Sequence, residues 1–303
     1  MADTPEPFTP ETTRGLALEA SATIGHAGAG VEFLRLGENA IYRITGTPIV
    51  VRLGRSLGAL ADVRKEIRVA RWLEEAGVPA VRLSDETGDE PLIVAERHPV
   101  TFWRYVDARP PAPELRDLGR LLRLLHDLER PAWLALPKFY PFVRVADRLE
   151  RAPAAANPDD VAFLSDLFTD LQERYEQLCF EFPLSPVHGD AHLANLMRDA
   201  SGEVLLLDFE AFSYGHREWD LTVTGIRRQG FAWLDDAQYA TFTDAYGYDV
   251  LDWPGFPVFR AIRELTMTTW LMQLVDDPQA GDEFHRRVDD IRSQRFPRHW
   301  KAF

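Results

Sequence analysis

The hydrophobic pattern of this chain changes from strand-like to helix-like about a third of the way along it. Residues 31–53 are rich in Val, Ile, Tyr and Phe, and two turn signals break the run into short predicted strands, VEFLRLGENAIYRITGTPIVVRL. Residues 58–76 carry apolar side chains at helical spacing and predict a helix, with Gly77 and Pro79 just beyond its end. The segments AVRL and PLIVAER are further strand candidates.

Helical periodicity dominates the rest of the chain. Residues 113–128, PELRDLGRLLRLLHDL, place leucines on one face, and residues 159–182 predict a second amphipathic helix. The segment EVLLLDFE then predicts a strand, and several helices follow it. This order favours an α+β fold with two lobes. We expect a small β-rich lobe with one main helix over residues 1–95 and a larger, mainly helical lobe over residues 96–303.

Composition limits the kind of partner and compartment. The 303 residues are 46% hydrophobic and carry a formal net charge of -14, which argues against a nucleic-acid partner because such proteins need a basic face. An acidic chain is compatible with a cationic substrate. The single cysteine, Cys179, excludes an internal disulfide and fits a reducing cytoplasm. The N-terminus lacks a signal-peptide pattern and no apolar run is long enough to span a membrane. We therefore expect a cytoplasmic monomer or weak homodimer.

The stretch PVHGDAHLANLM, residues 186–197, concentrates two histidines, an aspartate and an asparagine. One interpretation is a zinc or iron site, since alternation along a strand would direct His188, Asp190 and His192 to one side, although no second tight cluster of ligands accompanies them. Another is a buried polar turn that only satisfies backbone groups. A third is the catalytic loop of a kinase, because His188, Asp190 and Asn195 have the spacing of that loop.

The acidic residue that follows this loop supports the third interpretation. Asp208 closes the apolar strand of LLLDFE thirteen residues after Asn195, and a Ser201-Gly202 turn lies between them. Residues 196–207 can therefore form a hairpin that brings Asn195 and Asp208 side by side. Phosphoryl transfer needs a carboxylate near the acceptor hydroxyl, with an amide and a carboxylate that hold Mg²⁺ on the phosphates.

The segment VHGDAHLAN…LLLDFEAFSYGHREWDL resembles the aminoglycoside phosphotransferase and choline kinase-like family, small-molecule kinases with a protein-kinase-like two-lobed fold. All five specified positions of the family's His-Gly-Asp-x-His-x-x-Asn pattern match, and the resemblance covers roughly residues 30–280. It implies that Asp190 orients the substrate hydroxyl and accepts its proton. It also implies that His188 supports the loop, that Asn195 and Asp208 bind Mg²⁺, and that ATP is the phosphoryl donor.

Four further polar residues lie in or near these motifs. Asp220, in EWDL, is expected to hold the catalytic loop by hydrogen bonds from a following helix. His192 could brace the loop or approach the metal region, and the sequence leaves both open. Glu210 and Glu218 could either face the substrate or be solvated.

A kinase-like first lobe also needs a turn that covers the phosphates and a basic residue on a central strand. LGENAIYRI supplies the turn, where Gly37 and Asn39 can take the tight backbone conformations that let amides approach phosphate. Arg52 in IVVRL stands where protein kinases have lysine, and it can bridge phosphate oxygens. Glu66 on the following helix is its expected ion-pair partner; an ordinary exposed helix acid is the alternative.

The remaining site predictions concern adenine and the acceptor. The segment LIVAERHPV is predicted to be the hinge, where backbone groups near Glu96–His98 receive adenine. Substrate specificity is expected from the helices after residue 113, where Arg263 and Glu264 can offer charge and Trp270 an aromatic wall. Helical spacing also allows Trp270 to be a core residue, and we favour that interpretation.

These patterns together predict an ATP-dependent kinase that phosphorylates a hydroxyl group of a small polar molecule. An aminoglycoside or related cationic antibiotic is the first candidate. A sugar, an amino sugar, a choline-like amine or another metabolite hydroxyl is the second. A catalytically inert nucleotide-binding protein with a kinase fold is the alternative from a different class, and the departure at Arg52 is the feature that favours it.

Overall fold

A computed structural model describes residues 7–301, and the chain divides into two compact units. Unit 1 contains the chain up to Pro113, Arg130–Leu136 and Ala194–Phe212. Unit 2 contains Glu114–Glu129, Pro137–Leu193 and the chain from Ser213 onward. No helix within the described residues is long and apolar enough to cross a membrane.

Unit 1 is built on an antiparallel sheet of strands β1 (Val31–Leu36), β2 (Asn39–Ile44), β3 (Ile49–Gly54), β4 (Leu92–Val94) and β5 (His98–Arg104). The strand order is β1-β2-β3-β5-β4. Helix α1 (Pro10–Thr23) packs its buried Ala17 and Ala20 on one face of this sheet. The same hydrophobic cluster contains Tyr42, Val51 and Phe102.

Side chains that alternate along strand β3 separate the hydrophobic core of unit 1 from Arg52. Val51 and Leu53 on β3 are fully buried in the cluster that α1 covers. Because successive side chains of a strand point to opposite faces, Arg52 lies on the other face of the sheet. Helix α2 (Leu60–Glu75) buries Ile67, Val69 and Leu73, and it confirms the helix predicted over residues 58–76.

A hairpin distant in sequence returns to unit 1. Strands β7 (Leu196–Arg198) and β8 (Val204–Leu206) pair with each other through Leu196 and Leu206. The backbone of Leu206 exchanges hydrogen bonds with the segment after α2, since its carbonyl accepts from Val81 at 3.0 Å and its N–H donates to Pro79 at 3.0 Å. Because of these bonds, Ala194–Phe212 belongs to unit 1, although it follows residue 95 in the sequence.

Unit 2 is mainly helical. Its elements are α3 (Leu115–His126), α4 (Val145–Glu150), α5 (Pro158–Glu176), α6 (Glu218–Gln229), α7 (Asp236–Tyr246), α8 (Phe256–Met272), α9 (Pro278–Arg292) and a two-stranded sheet of β6 (Ser185–Val187) and β9 (Ser213–Gly215). Helix α8 packs against α4, α5, α6 and α9, while α3 packs against α7. The predicted helix over 113–128 corresponds to α3. The helix predicted over 159–182 corresponds to α5, which ends at Glu176.

Candidate active-site residues

The loop of unit 2 that begins at His188 follows strand β6 directly and is held by the start of α6. The Oδ2 atom of Asp220 accepts from the backbone N–H of His188 at 2.7 Å, and its Oδ1 accepts from Gly189 at 2.8 Å. The indole N–H of Trp219 donates to the Gly189 carbonyl at 2.8 Å. Gly189 has φ +87°, a backbone conformation that favours glycine. The hydrogen bonds expected from Asp220 are therefore present.

Asp220 is itself anchored by buried polar partners that sequence reasoning missed. His126, at the end of α3, places Nε2 3.0 Å from Asp220 Oδ2 and Nδ1 2.9 Å from the Tyr246 hydroxyl. Burial lowers the pKa of His126 despite the opposing effect of Asp220. No local motif marks His126, because its partners lie on α6 and α7. The chain Tyr246–His126–Asp220 connects three helices to the loop backbone.

The carboxylate of Asp190 is paired with an arginine from a different helix of unit 2. Its Oδ1 accepts from Arg263 Nη2 at 2.6 Å, and its Oδ2 lies 3.3 Å from His192 Nε2. Burial opposes ionisation of Asp190, but the charge of Arg263 and the contact with His192 outweigh it, so the pKa lies well below the usual range. The side chain of Asp190 is 41% exposed, so an ionised carboxylate is accessible.

Asn195 and Asp208 lie at the open end of the β7–β8 hairpin of unit 1. The hairpin predicted over residues 196–207 is confirmed: the N–H of Leu207 donates to the Asn195 carbonyl at 2.9 Å, and Gly202 in the turn has φ +90°. Asn195 is 8% exposed, whereas Asp208 is exposed and has φ +62°. Aspartate tolerates this left-handed conformation better than most residues do.

Arg52 is held by two groups on its face of the sheet. It forms an ion pair with Glu66 on α2, as predicted. With the amide of Asn39 oriented so that its oxygen faces Arg52, that oxygen accepts from Nε at 3.2 Å and Nη2 at 2.9 Å. Glu66 is 4% exposed, so the alternative of a solvated helix acid is wrong. The guanidinium is thereby fixed in place between β2 and α2.

The electrostatic surroundings of Glu66 extend to the acidic end of the hairpin. Burial raises the pKa of Glu66 to about 7; Arg52 opposes the rise, while the charges of Asp208 and Glu210 add to it. The charge of Lys65 also lowers the pKa of Glu66, and Lys65 donates a hydrogen bond to the Glu210 carbonyl. Arg52, Glu66 and Asp208 therefore belong to one electrostatic neighbourhood within unit 1.

A cavity of about 290 Å³ lies beside these residues within unit 1. It is lined by Glu38, Asn39, Arg55, Ala59, Asp62, Val63, Glu66 and Glu210. Arg55 donates to the Gly37 carbonyl at 2.7 Å, so the turn between β1 and β2 is tied to the segment that precedes α2. The predicted phosphate-covering residues Gly37 and Asn39 thus lie at this cavity or at its edge.

The segment predicted to be the hinge has a different structure. Glu96 lies in a tight turn between β4 and β5, in which Ala95 has φ +47° and Glu96 φ +57°, and Val94 pairs with His98. His98 is buried, with Nδ1 3.0 Å from the Gly54 carbonyl. The prediction that LIVAERHPV is the hinge is therefore wrong, because this segment lies within the β4–β5 hairpin and the chain leaves the sheet only after Arg104. A role of these residues in binding adenine stays a prediction.

Two acidic residues of unit 2 that were candidates to contact the substrate are instead bonded to other groups of the protein. Glu218 is fully buried; its Oε1 accepts from the backbone N–H groups of Glu181 at 3.0 Å and Phe182 at 3.3 Å, and burial raises its pKa. The alternative of a solvated Glu218 is therefore wrong. Glu264 is 2% exposed and pairs with Arg298 at 2.9 Å.

The other two substrate candidates are more accessible. Trp270 on α8 is 38% exposed, so its interpretation as a core residue is wrong. Glu210 in unit 1 is half-buried and lines the cavity beside Glu66.

The donor chemistry fits magnesium better than a transition metal. Across residues 7–301, no group of three or more His, Cys, Asp and Glu side chains is placed to hold a metal ion. The zinc or iron interpretation therefore lacks the ligand set it requires. Asn195 and Asp208 offer one amide and one carboxylate oxygen, which are ligands that Mg²⁺ takes when substrate phosphates and water supply the rest.

Comparisons with known proteins give a consistent picture. The family model described as "Phosphotransferase enzyme family" (APH) matches residues 31–262. A choline/ethanolamine kinase family protein from Mesorhizobium loti is similar in structure, with 19% identity, a TM-score of 0.61, and 94% of this chain and 92% of that chain covered. The choline kinase LicA from Streptococcus pneumoniae shares 14% identity with a TM-score of 0.67, covering 94% of this chain and 100% of that one.

An aminoglycoside kinase has a comparable likeness. The phosphotransferase APH(3'')-Id from Streptomyces rimosus, solved with ADP and streptomycin, shares 20% identity with a TM-score of 0.61, covering 85% of this chain and 99% of that one. Curated proteins include no match to this chain. At these identities the structural likeness establishes the fold, which is the kinase-like fold expected from the sequence.

Proposed function

Because this chain belongs to the phosphotransferase enzyme family, we propose that it transfers the terminal phosphoryl group of ATP to a hydroxyl group of a small polar molecule. The bond from the terminal phosphorus to the bridging oxygen of ADP breaks, a bond from phosphorus to the acceptor oxygen forms, and the hydroxyl proton leaves. The observation that carries this proposal is the Asp190 loop. Asp220 pins its backbone, and the accessible carboxylate is held ionised.

In unit 2, Asp190 is proposed to accept the hydrogen bond of the acceptor hydroxyl. A carboxylate with so low a pKa is a weak base, so it orients the oxygen and receives the proton late, when phosphorus has begun to bond. This suits a loose transition state, in which the nucleophile needs little activation. Asp220 and Trp219 support the geometry by fixing the backbone that carries Asp190.

In unit 1, Arg52 is proposed to bind the nucleotide phosphates. Glu66 and Asn39 fix its guanidinium, which corresponds to the lysine of protein kinases and can contact two phosphate oxygens at once. Asn195 and Asp208 would hold Mg²⁺, which when bound neutralises negative charge on the phosphate oxygens. The inert-scaffold alternative is disfavoured by this arrangement, because Arg52 keeps the expected acidic partner.

The charged side chains around Asp190 bear on the choice between the two predicted substrate classes. An aminoglycoside or other cationic antibiotic needs acidic groups around the reacting hydroxyl, yet Glu218 and Glu264 are buried and bonded within the protein. One of the side chains that contact Asp190 is a permanent cation, Arg263. These contacts favour the members of the second class that carry no positive charge over a cationic antibiotic.

A nucleotide titration followed by an acceptor screen tests the proposed function. Mg·ATP should raise the melting temperature of the protein, and ADP should be released with at least one acceptor from a panel of aminoglycosides, amino sugars, amines, sugars and hydroxy acids. Stabilisation by ATP without ADP release on any acceptor would favour the inert scaffold. A bound transition metal with no effect of nucleotide would favour a metal-dependent hydrolase.

A further inference from the structure

Arg263 contacts Asp190 and keeps further hydrogen-bond donors available. It lies on α8, and one of its donors, Nη2, contacts Asp190 at 2.6 Å. Across residues 7–301 its other N–H donors have no second acceptor in the protein. The guanidinium lies over the ring of the buried Trp219, 5.9 Å from the ring centre, and 18% of the side chain is exposed. A planar cation is thus held beside Asp190 with unused donors.

A second arginine belongs to the same neighbourhood. Arg227 on α6 lies near enough to Arg263 and Asp190 for their charges to act on it. Burial lowers the pKa of Arg227, Arg263 lowers it further, and Asp190 opposes them. Its guanidinium lies 5.9 Å from the ring centre of Trp233, and within the described residues no carboxylate pairs with it. The charges of two arginines and one carboxylate therefore act on one another, and these three groups together carry a surplus positive charge.

This surplus leaves room for a negatively charged ligand. Charged groups withdrawn from water are normally paired, because a cation without a counterion is unfavourable there, and Arg227 is half-buried. In the same unit, Arg298 pairs with Glu264 and Arg287 pairs with Glu283, which shows the usual arrangement. The Asp190 cluster differs because its carboxylate is accessible and one arginine has no carboxylate of its own.

We propose that Arg263 and Arg227 form an anion site beside Asp190, and that the acceptor molecule carries a carboxylate or phosphate group in addition to the hydroxyl that is phosphorylated. This inference rests on the proposed kinase function and names its substrate class. Arginine suits the task because its planar fork matches both anions. Arg263 contacts Asp190 and the anion through different donors, so it fixes the distance between the anionic group and the reacting hydroxyl.

Matched sets of acceptors that differ in charge test this assignment. One set is glycerol, glycerate and glycerol 3-phosphate; the other is glucose, gluconate and glucose 6-phosphate. Binding to the protein loaded with Mg·ADP is measured by calorimetry, and ADP release is measured with Mg·ATP. In at least one set a charged member should bind about 10-fold or more tightly than its neutral counterpart, and the preferred member tells carboxylate from phosphate.

Variants then assign the preference to the two arginines. Arg263→Gln should lower the affinity for the charged member, and kcat/KM where it is turned over, by about 10- to 100-fold more than for the neutral member. Arg263→Lys should restore part of this preference, and Arg227→Gln should act in the same direction. Arg228→Gln is the matched control, since Arg228 is the neighbouring residue and pairs with the exposed Asp236.

Three results would overturn the inference. The first is failure of every anionic compound to bind. The second is an equal loss on charged and neutral members in Arg263→Gln, which would mean that Arg263 only positions Asp190. The third is a preference for cationic acceptors that Arg263→Gln strengthens. Failure of the kinase proposal looks different, because Mg·ATP would then neither bind nor yield ADP with an acceptor of any charge.

Discussion

The ion pair Arg52–Glu66 of unit 1 and the ion pair Arg263–Asp190 of unit 2 have opposite electrostatic character. In unit 1, Glu66 is buried with 5% of its side chain exposed, and its pKa is raised to about 7 although Arg52 contacts it. In unit 2, Asp190 is 41% exposed, and Arg263 with His192 holds its pKa well below the ordinary range. Burial decides the direction of the pKa shift in the first pair, whereas in the second pair Arg263 and His192 together outweigh burial.

The difference shows how the same two chemical groups can serve different tasks. A buried carboxylate beside Arg52 fixes the arginine, and we propose that this cation is the group that contacts the nucleotide. The carboxylate beside Arg263 is accessible and is kept ionised, and we propose that it contacts the acceptor itself. The second arrangement is the one expected of a residue that contacts substrate, whereas the first is expected of a supporting residue.

Loss of Asp208 should reduce phosphoryl transfer more than any of the other substitutions. Asp208→Ala removes a proposed oxygen ligand of Mg²⁺ and should lower phosphoryl transfer by about 10³-fold or more, because charge on the phosphates is then poorly neutralised. The measurement is ADP release as a function of Mg²⁺ concentration. Asp199→Asn, in the turn of the same hairpin, is the control. Normal transfer and normal Mg²⁺ dependence in Asp208→Ala would remove Asp208 from the site.

Neutralising Asp190 should have the next largest effect. Asp190→Asn should keep the fold and reduce turnover by about 10²-fold or more, because the amide accepts no proton and pairs poorly with Arg263. Turnover on the best acceptor and the melting temperature are measured together. The exposed Asp170→Asn on α5 is the control. Near-normal turnover in Asp190→Asn would show that another group receives the proton.

Substitutions in the Arg52–Glu66 pair should reduce activity with ATP less than those at Asp208 or Asp190. The two residues should act as one unit. Arg52→Ala should raise KM for ATP and lower kcat, with kcat/KM falling by about 10- to 100-fold, and Arg52→Lys should recover part of it. Glu66→Gln should be milder, since it removes only the partner that orients Arg52. The double variant should be little worse than Arg52→Ala alone. Additive losses would mean that Arg52 and Glu66 act independently.

The smallest expected effect concerns a buried carboxylate outside both pairs. Burial raises the pKa of Glu264 to about 7, although Arg298 opposes the rise. Folded protein therefore binds a proton that unfolded protein has lost between about pH 4.5 and 7, so this contribution to stability disappears as pH rises through that range. The free energy of unfolding should fall with pH less steeply in Glu264→Gln than in the parent. Exposed Glu173→Gln is the control; equal slopes in all three proteins would contradict the pKa shift.

Features of the fold that depend on local pattern could be predicted from the sequence. Helix α2 follows from its apolar spacing and from Gly77 beyond its end. The β7–β8 hairpin follows from a Ser-Gly turn between apolar runs. Helix α1 was not predicted, because it buries small residues such as Ala17 and Ala20 and shows only a weak apolar stripe. The turn after β4 was missed because Ala95 and Glu96 take positive φ without a glycine to signal it.

Features of the site that depend on long-range contacts could not be predicted. The family resemblance of EWDL indicated the hydrogen bonds of Asp220, but the partner of Asp190 lies 73 residues away on α8 and no spacing rule connects them. Burial of Glu218 and Glu264 was also invisible, because a glutamate in a helical pattern is more often exposed. The prediction of a cationic substrate came from the family resemblance and the acidic net charge, and in the structure two of the candidate substrate acids are bonded to backbone N–H groups or to Arg298.

Calorimetric titration of Mg·ATP into the parent, Asp190→Asn and Asp208→Ala most directly tests the central claim, that unit 1 residues bind the nucleotide and Asp190 acts on the acceptor. The parent and Asp190→Asn should bind Mg·ATP with affinities within about threefold of each other, while Asp208→Ala should bind at least about 10-fold more weakly. Equal weakening in Asp190→Asn and Asp208→Ala, or unchanged binding in Asp208→Ala, would contradict the claim.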